Sequence, residues 1–181
     1  MIEDSQTNKN RVSSEYEGPN LLRNVDDIIA EAHSKGYYDG DSLDIYKVIG
    51  EHSSIKIEVK DMEGIMSGSL EYVNGCWIMS VNKKHNPKRQ KFTLAHEFGC
   101  YILHSGILYH LKKPLFFREP SMASIDDAAN EFASCLLMPE SSVRKKIDED
   151  GVKNIGELAD FFEVPASAMK DRVVQLGYNL I

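Results

Sequence analysis

The sequence predicts an α+β domain, with helices on either side of a small sheet. Three observations carry that prediction. Apolar residues recur at helical spacing near the start and again after residue 87. Residues 55–60, IKIEVK, alternate with a period of two, as a half-buried strand does. Between two β-rich runs, 67–73 and 76–82, stands Asn74-Gly75, a strong short hairpin signal.

The elements follow in chain order. Residues 1–19 are polar and read as a disordered arm. Asn24 is an N-cap with Asp27 at N3. Val25, Ile28, Ile29 and Ala32 form one apolar face, and Gly36 ends the helix. A second short helix is expected from an Asp41 cap, burying Leu43, Ile45, Tyr46, Val48 and Ile49. About three antiparallel strands then make a meander, with Trp77 in the core. The basic stretch 82–91 reads as a solvated turn, including Lys83, Lys84, Lys88, Arg89 and Lys91. A helix spans about 87–104, and a loop of about twenty residues holds Gly106, Pro114 and Pro120. Ser124 reads as the cap of a helix that stops at Pro139, and three short helices near 140–148, 154–163 and 166–176 complete the chain. Domain boundaries are placed at 1–19 (arm), 20–139 (core domain) and 140–181 (helical extension).

Composition narrows the function. The 181 residues carry 21 basic and 28 acidic side chains, a net charge of −7. That opposes a dedicated nucleic-acid binder, which needs a basic surface. No apolar run approaches a membrane span, and the polar N-terminus has no signal core. Cys76, Cys100 and Cys135 fit no disulfide framework, so a reducing, cytoplasmic setting is expected.

The chemistry concentrates in 92–104, FTLAHEFGCYILH. His96 and Cys100 lie one turn apart on one helical face, a spacing that lets two side chains hold one metal ion. Glu97 projects from the neighbouring face, where it could reach a metal-bound water. This is the arrangement of the zinc-peptidase helix H-E-x-x-H with its second histidine replaced by cysteine. A zinc-bound thiolate and a small buried core residue are both open for Cys100.

Three separated stretches, RQKFTLAHEFGCYILH, DDAANEFASCLLMP and LADFFEVPASAMKDRVVQLG, together with the strand ending WIMSVN, resemble the ImmA/IrrE family of metallopeptidase-like proteins. The resemblance covers about residues 22–178. It implies a zincin-like core with a helix-turn-helix-like extension. It also implies regulatory action on a repressor-like or antitoxin protein in a phage, mobile-element or toxin–antitoxin system. His96 then matches the first zinc ligand, Glu97 the catalytic base and Cys100 the second ligand. Asp126 stands where the family has its third ligand, a glutamate, and is open also to a plain helix-terminus role. His104, two turns past His96, reads as a supporting rather than a ligating residue. Asn130 matches the family helix and reads as packing. Active zinc endopeptidase, catalytically degenerate binder and DNA-binding regulator are the three functions carried forward. The last is opposed by residues 140–181, which hold six basic and eight acidic side chains.

Overall fold

The computed structural model describes residues 24–111 and 123–180. The expected arm, Pro114 and Pro120 lie outside the described residues.

Helix α1 (Val25–Ser34) starts where the capping signal puts it. The Asn24 side chain accepts from the Asp27 N–H, and the Asp27 carboxylate accepts from the Asn24 N–H in return. Gly36 follows at φ +68°. The second helix differs from expectation. Two short strands, β1 (Tyr38–Asp39) and β2 (Ser42–Leu43), form a tight antiparallel pair around Asp41. Helix α2 (Ile45–Gly50) begins only at Asp44, whose side chain accepts from the Lys47 N–H. Ile45, Val48 and Ile49 are buried, whereas Tyr46 is 47% exposed. Asp41 lost the cap because Gly40, at φ +60°, turns the chain back into a hairpin first.

The sheet comprises β3 (Ile55–Lys60), β4 (Gly68–Val73) and β5 (Cys76–Asn82) in the order β3-β5-β4. The Asn74-Gly75 hairpin forms as predicted, with both residues at positive φ. The antiparallel meander does not: β3 pairs with β5 in parallel. The reason lies in burial. Trp77, Met79, Ser80, Val81 and Asn82 bury both faces of β5, so β5 takes the centre. In β3, Lys56, Glu58 and Lys60 are exposed, which suits an edge.

Helix α3 (Pro87–Leu111) is longer than expected and runs on through Gly106. Asn86 caps it, accepting from the Arg89 N–H at 2.9 Å, with Pro87 at the first helical position. Residues 93–102 are all buried, so α3 is the central helix. Helix α4 (Ala123–Leu137) crosses it at Gly99. A Cβ there would stand 2.9 Å from the Phe132 ring, so only glycine permits this approach. Ser124 lies inside α4 rather than capping it.

Helix α5 (Glu140–Arg144) continues as one π-helical turn over Lys145–Glu149, followed by α6 (Ile155–Phe161) and α7 (Ala166–Gln175). Their apolar residues Val143, Ile147, Leu158, Phe162, Met169 and Val173 join one core with Trp77, Phe98 and Leu136. Lys91 corrects the reading of the basic stretch as a solvated turn: it is 9% exposed. Its ammonium donates to Ser42 Oγ and to the Phe162 carbonyl, and meets the Glu163 carboxylate at 3.4 Å. This group bolts the α6–α7 turn to α3 and β2. Among the described residues, no helix is long and apolar enough to cross a membrane. The cysteines are free thiols.

Candidate active site

A cleft of about 700 Å³ opens where β4, α3, α4 and α7 meet. One lip is the segment Ile65–Gly68, held by the Asn82 side-chain amide donating to the Met66 carbonyl at 2.8 Å. The opposite wall includes Ser167, Asp171 and Gln175 of α7. His96, Glu97, Asp126 and Asn130 line the floor.

The close α3–α4 crossing brings Asp126 to His96. Asp126 Oδ1 stands 3.4 Å from His96 Nε2. Asn130 links the same two residues. Its amide nitrogen donates to Asp126 Oδ2 at 3.4 Å, and its oxygen lies 3.0 Å from His96 Nδ1. With the amide so oriented, its oxygen accepts from His96 Nδ1, and the imidazole is held with Nε2 facing the Asp126 carboxylate. Asn130 is therefore no packing residue but the orienting partner of His96. The readable signal was its spacing, four residues after Asp126 on one helical face.

Glu97 is 1% exposed and has one oxygen, Oε2, without a hydrogen-bond partner. Burial, and then the negative charge of Asp126, push its carboxyl well above the usual range, so the neutral acid is favoured. Gly68 makes room for it: a Cβ there would come within 2.7 Å of Glu97 Oε1 and 2.4 Å of the Thr93 methyl. Burial holds the His96 imidazole below its ordinary pKa, opposed by Asp126 and by the Asn130 hydrogen bond.

Cys100 is fully buried and does not line the cleft. Burial pushes its thiol well above the ordinary value, and Glu97 and Asp126 add to the shift. His104 lies further along α3, half-buried, away from the cleft lining, with an enclosed Nε2 that finds no partner.

Zinc can be tested against these positions. Two ligands about 2.1 Å from one tetrahedral zinc stand about 3.4 Å apart, and His96 Nε2 and Asp126 Oδ1 have that separation. They supply one edge of a site. Among the described residues, no three His, Cys, Asp or Glu side chains converge as a metal requires. The third expected donor, Cys100, is fully buried and does not line the cleft where His96 and Asp126 meet. As placed, the residues do not fit a closed zinc centre.

A central H-E-x-x helix beside a small sheet, a second helix carrying an acid to it, and a following helical extension define a zincin-like, metallopeptidase-type fold. The family model described as the IrrE N-terminal-like domain matches residues 51–174, and the chain belongs to that family. The resemblance read from the three motifs is thus established. No curated protein matches the chain.

Proposed function

We propose that the chain is a metallopeptidase-like regulatory protein that acts on a repressor-like partner, in a phage, mobile-element or toxin–antitoxin setting, by holding it in the cleft without cutting it. One observation carries the reading. His96 and Asp126 meet, but the third donor faces the core and not the cleft. Catalysis in this family class depends on zinc to activate water. A two-donor edge is a poor holder of zinc, while the fold and the cleft around it are intact.

A second reading, active zinc endopeptidase, is favoured by the 3.4 Å edge and by the way Asn130 orients His96. One pair of measurements separates the two. Elemental analysis after zinc is supplied should give far less than one equivalent per chain, unchanged by Cys100→Ser. Glu97→Gln should keep the full regulatory effect, because a general base is needed only for a chemical step. A partner fragment that appears with the natural chain and vanishes with Glu97→Gln would establish the enzyme instead.

A further inference from the structure

A buried cation needs an anion or a full set of acceptors. Lys91, 9% exposed, has the Glu163 carboxylate. Arg172 of α7 is 5% exposed, lines the cleft and has no such partner. Its Nε donates to the Met138 carbonyl at 3.0 Å and its Nη1 to Gln175 Oε1 at 2.8 Å, both neutral oxygens. Those bonds use two of the five N–H donors of a guanidinium. Nη2 donates to no atom among the described residues, and the fold does not seal it off.

A second observation stands on the facing helix. Ser134 of α4 lines the same cleft, one turn before the Met138 that Arg172 holds. Its hydroxyl makes no hydrogen bond among the described residues. The cleft's other arginine, Arg89, donates to His85 Nδ1 and Ser67 Oγ and likewise meets no carboxylate among them. Asp126, Glu131 and Asp171 line the cleft too, without pairing with either arginine. Glu131 and Asp171 are exposed, so water screens them, whereas Arg172 acts from a buried position.

We propose that Arg172, with the Ser134 hydroxyl as a further donor on the α4 wall, binds one carboxylate of the partner protein. The carboxylate comes from an acidic side chain or from the partner's C-terminus. It is planar and, when ionised, a pure acceptor, and it supplies the charge that the guanidinium lacks. An amide brings an oxygen without the charge, and an ammonium brings the wrong sign. A phosphate dianion or a nucleic-acid backbone would set more negative charge against Asp126, Glu131 and Asp171, on a chain of net charge −7. The proposal rests on the reading that the cleft holds a protein partner, and it names the group taken there.

The test uses five-residue alanine peptides, acetylated and amidated, with glutamate, glutamine, phosphoserine or lysine at the centre. A further peptide is all alanine and keeps its C-terminal carboxylate. Binding to the full chain is followed by the Arg172 Nε–H resonance. The glutamate peptide should bind at least about tenfold more tightly than the glutamine peptide, as charge-assisted hydrogen bonds in a desolvated site do. Phosphoserine and lysine should bind more weakly than glutamate. If the free C-terminus binds better than central glutamate, the carboxylate is that of a chain end; if worse, it is that of a side chain, and either result supports the site. Gln175→Glu, at an exposed position, gives Arg172 a carboxylate of its own where Gln175 Oε1 already accepts. That change should erase the preference for glutamate over glutamine and keep the fold. Equal binding of glutamate and glutamine, preference for phosphoserine or lysine, no Arg172 response, or a preference that survives Gln175→Glu would overturn the proposal. The docking reading fails separately, on the zinc content and the Glu97→Gln effect, which involve neither Arg172 nor Gln175.

Discussion

Helix α3 buries two ionisable side chains six residues apart, and the fold treats them in opposite ways. Lys91 is 9% exposed, and three oxygens from β2 and the α6–α7 turn gather around its ammonium. Glu97 is 1% exposed and keeps an oxygen with no partner. Both pay for desolvation, but only Lys91 recovers the cost within the fold. The difference separates a structural station from a functional one. A buried polar group that the fold satisfies holds elements together. One that it leaves unsatisfied, on the floor of a cleft, is held ready for something from outside.

The largest expected effect tests this contrast directly. Lys91→Ala strands the buried Phe162 carbonyl and Ser42, and should lower stability by about 3 kcal/mol in urea unfolding. Glu97→Leu removes a buried acid that nothing inside pairs, and should leave stability unchanged or raise it by about 1 kcal/mol. If both changes destabilise alike, Glu97 has a partner the contrast denies, and the functional assignment of the floor weakens.

The next effect is a slope in pH. The folded state favours neutral Glu97, so its pKa is raised above the ordinary 4.5. A group raised in this way stabilises most below that value, and stability is lost as pH climbs through the folded pKa. His96 acts in the opposite direction. Its pKa is lowered from 6.5, so its contribution is present above 6.5 and lost as pH falls through the depressed value. Glu97→Gln removes the first effect and keeps the second. The gap in melting temperature between Glu97→Gln and the natural chain should widen, in favour of the variant, from about pH 5 to about pH 8. A constant gap would mean that Glu97 is ionised at ordinary cost, with water reaching it freely.

The two stations were unequally legible in the sequence, for physical reasons. Glu97 was found because its neighbours His96 and Cys100 share a helical face, and that spacing is local. Lys91 was missed because its burial depends on Ser42 and Phe162, which are distant in sequence, and its neighbours Lys83, Lys84 and Arg89 are exposed. The same division runs through the fold. The Asn24 capping box and the Asn74-Gly75 hairpin are short-range and came out as read. The parallel β3–β5 pairing is a long-range choice made by burial on both faces of β5, and alternation within β3 could not disclose it. Asp126 and Asn130 carried their spacing openly. Only the Gly99–Phe132 crossing shows that they converge on His96 rather than simply favouring a helix terminus.

The smallest effect asks what satisfies Lys91. Glu163 contributes a carboxylate, but its side chain is 64% exposed, and water screens the pair. If the Phe162 carbonyl and Ser42 are the main partners, Glu163→Gln should cost less than about 1 kcal/mol, since an amide oxygen still accepts from Ser42. Glu163 also stands at φ +52°, just past the α6 C-terminus, where glycine is the favoured residue. Glu163→Ala loses the acceptor and keeps the strained backbone. Glu163→Gly loses the acceptor and relieves the strain, and should be more stable than the alanine variant by about 1 kcal/mol. Together the three variants divide the turn into charge, hydrogen bond and backbone. A cost above about 2 kcal/mol for Glu163→Gln alone would place the charge first. Lys91 would then be held mainly by an ion pair open to solvent, and the contrast with Glu97 would narrow to one of degree.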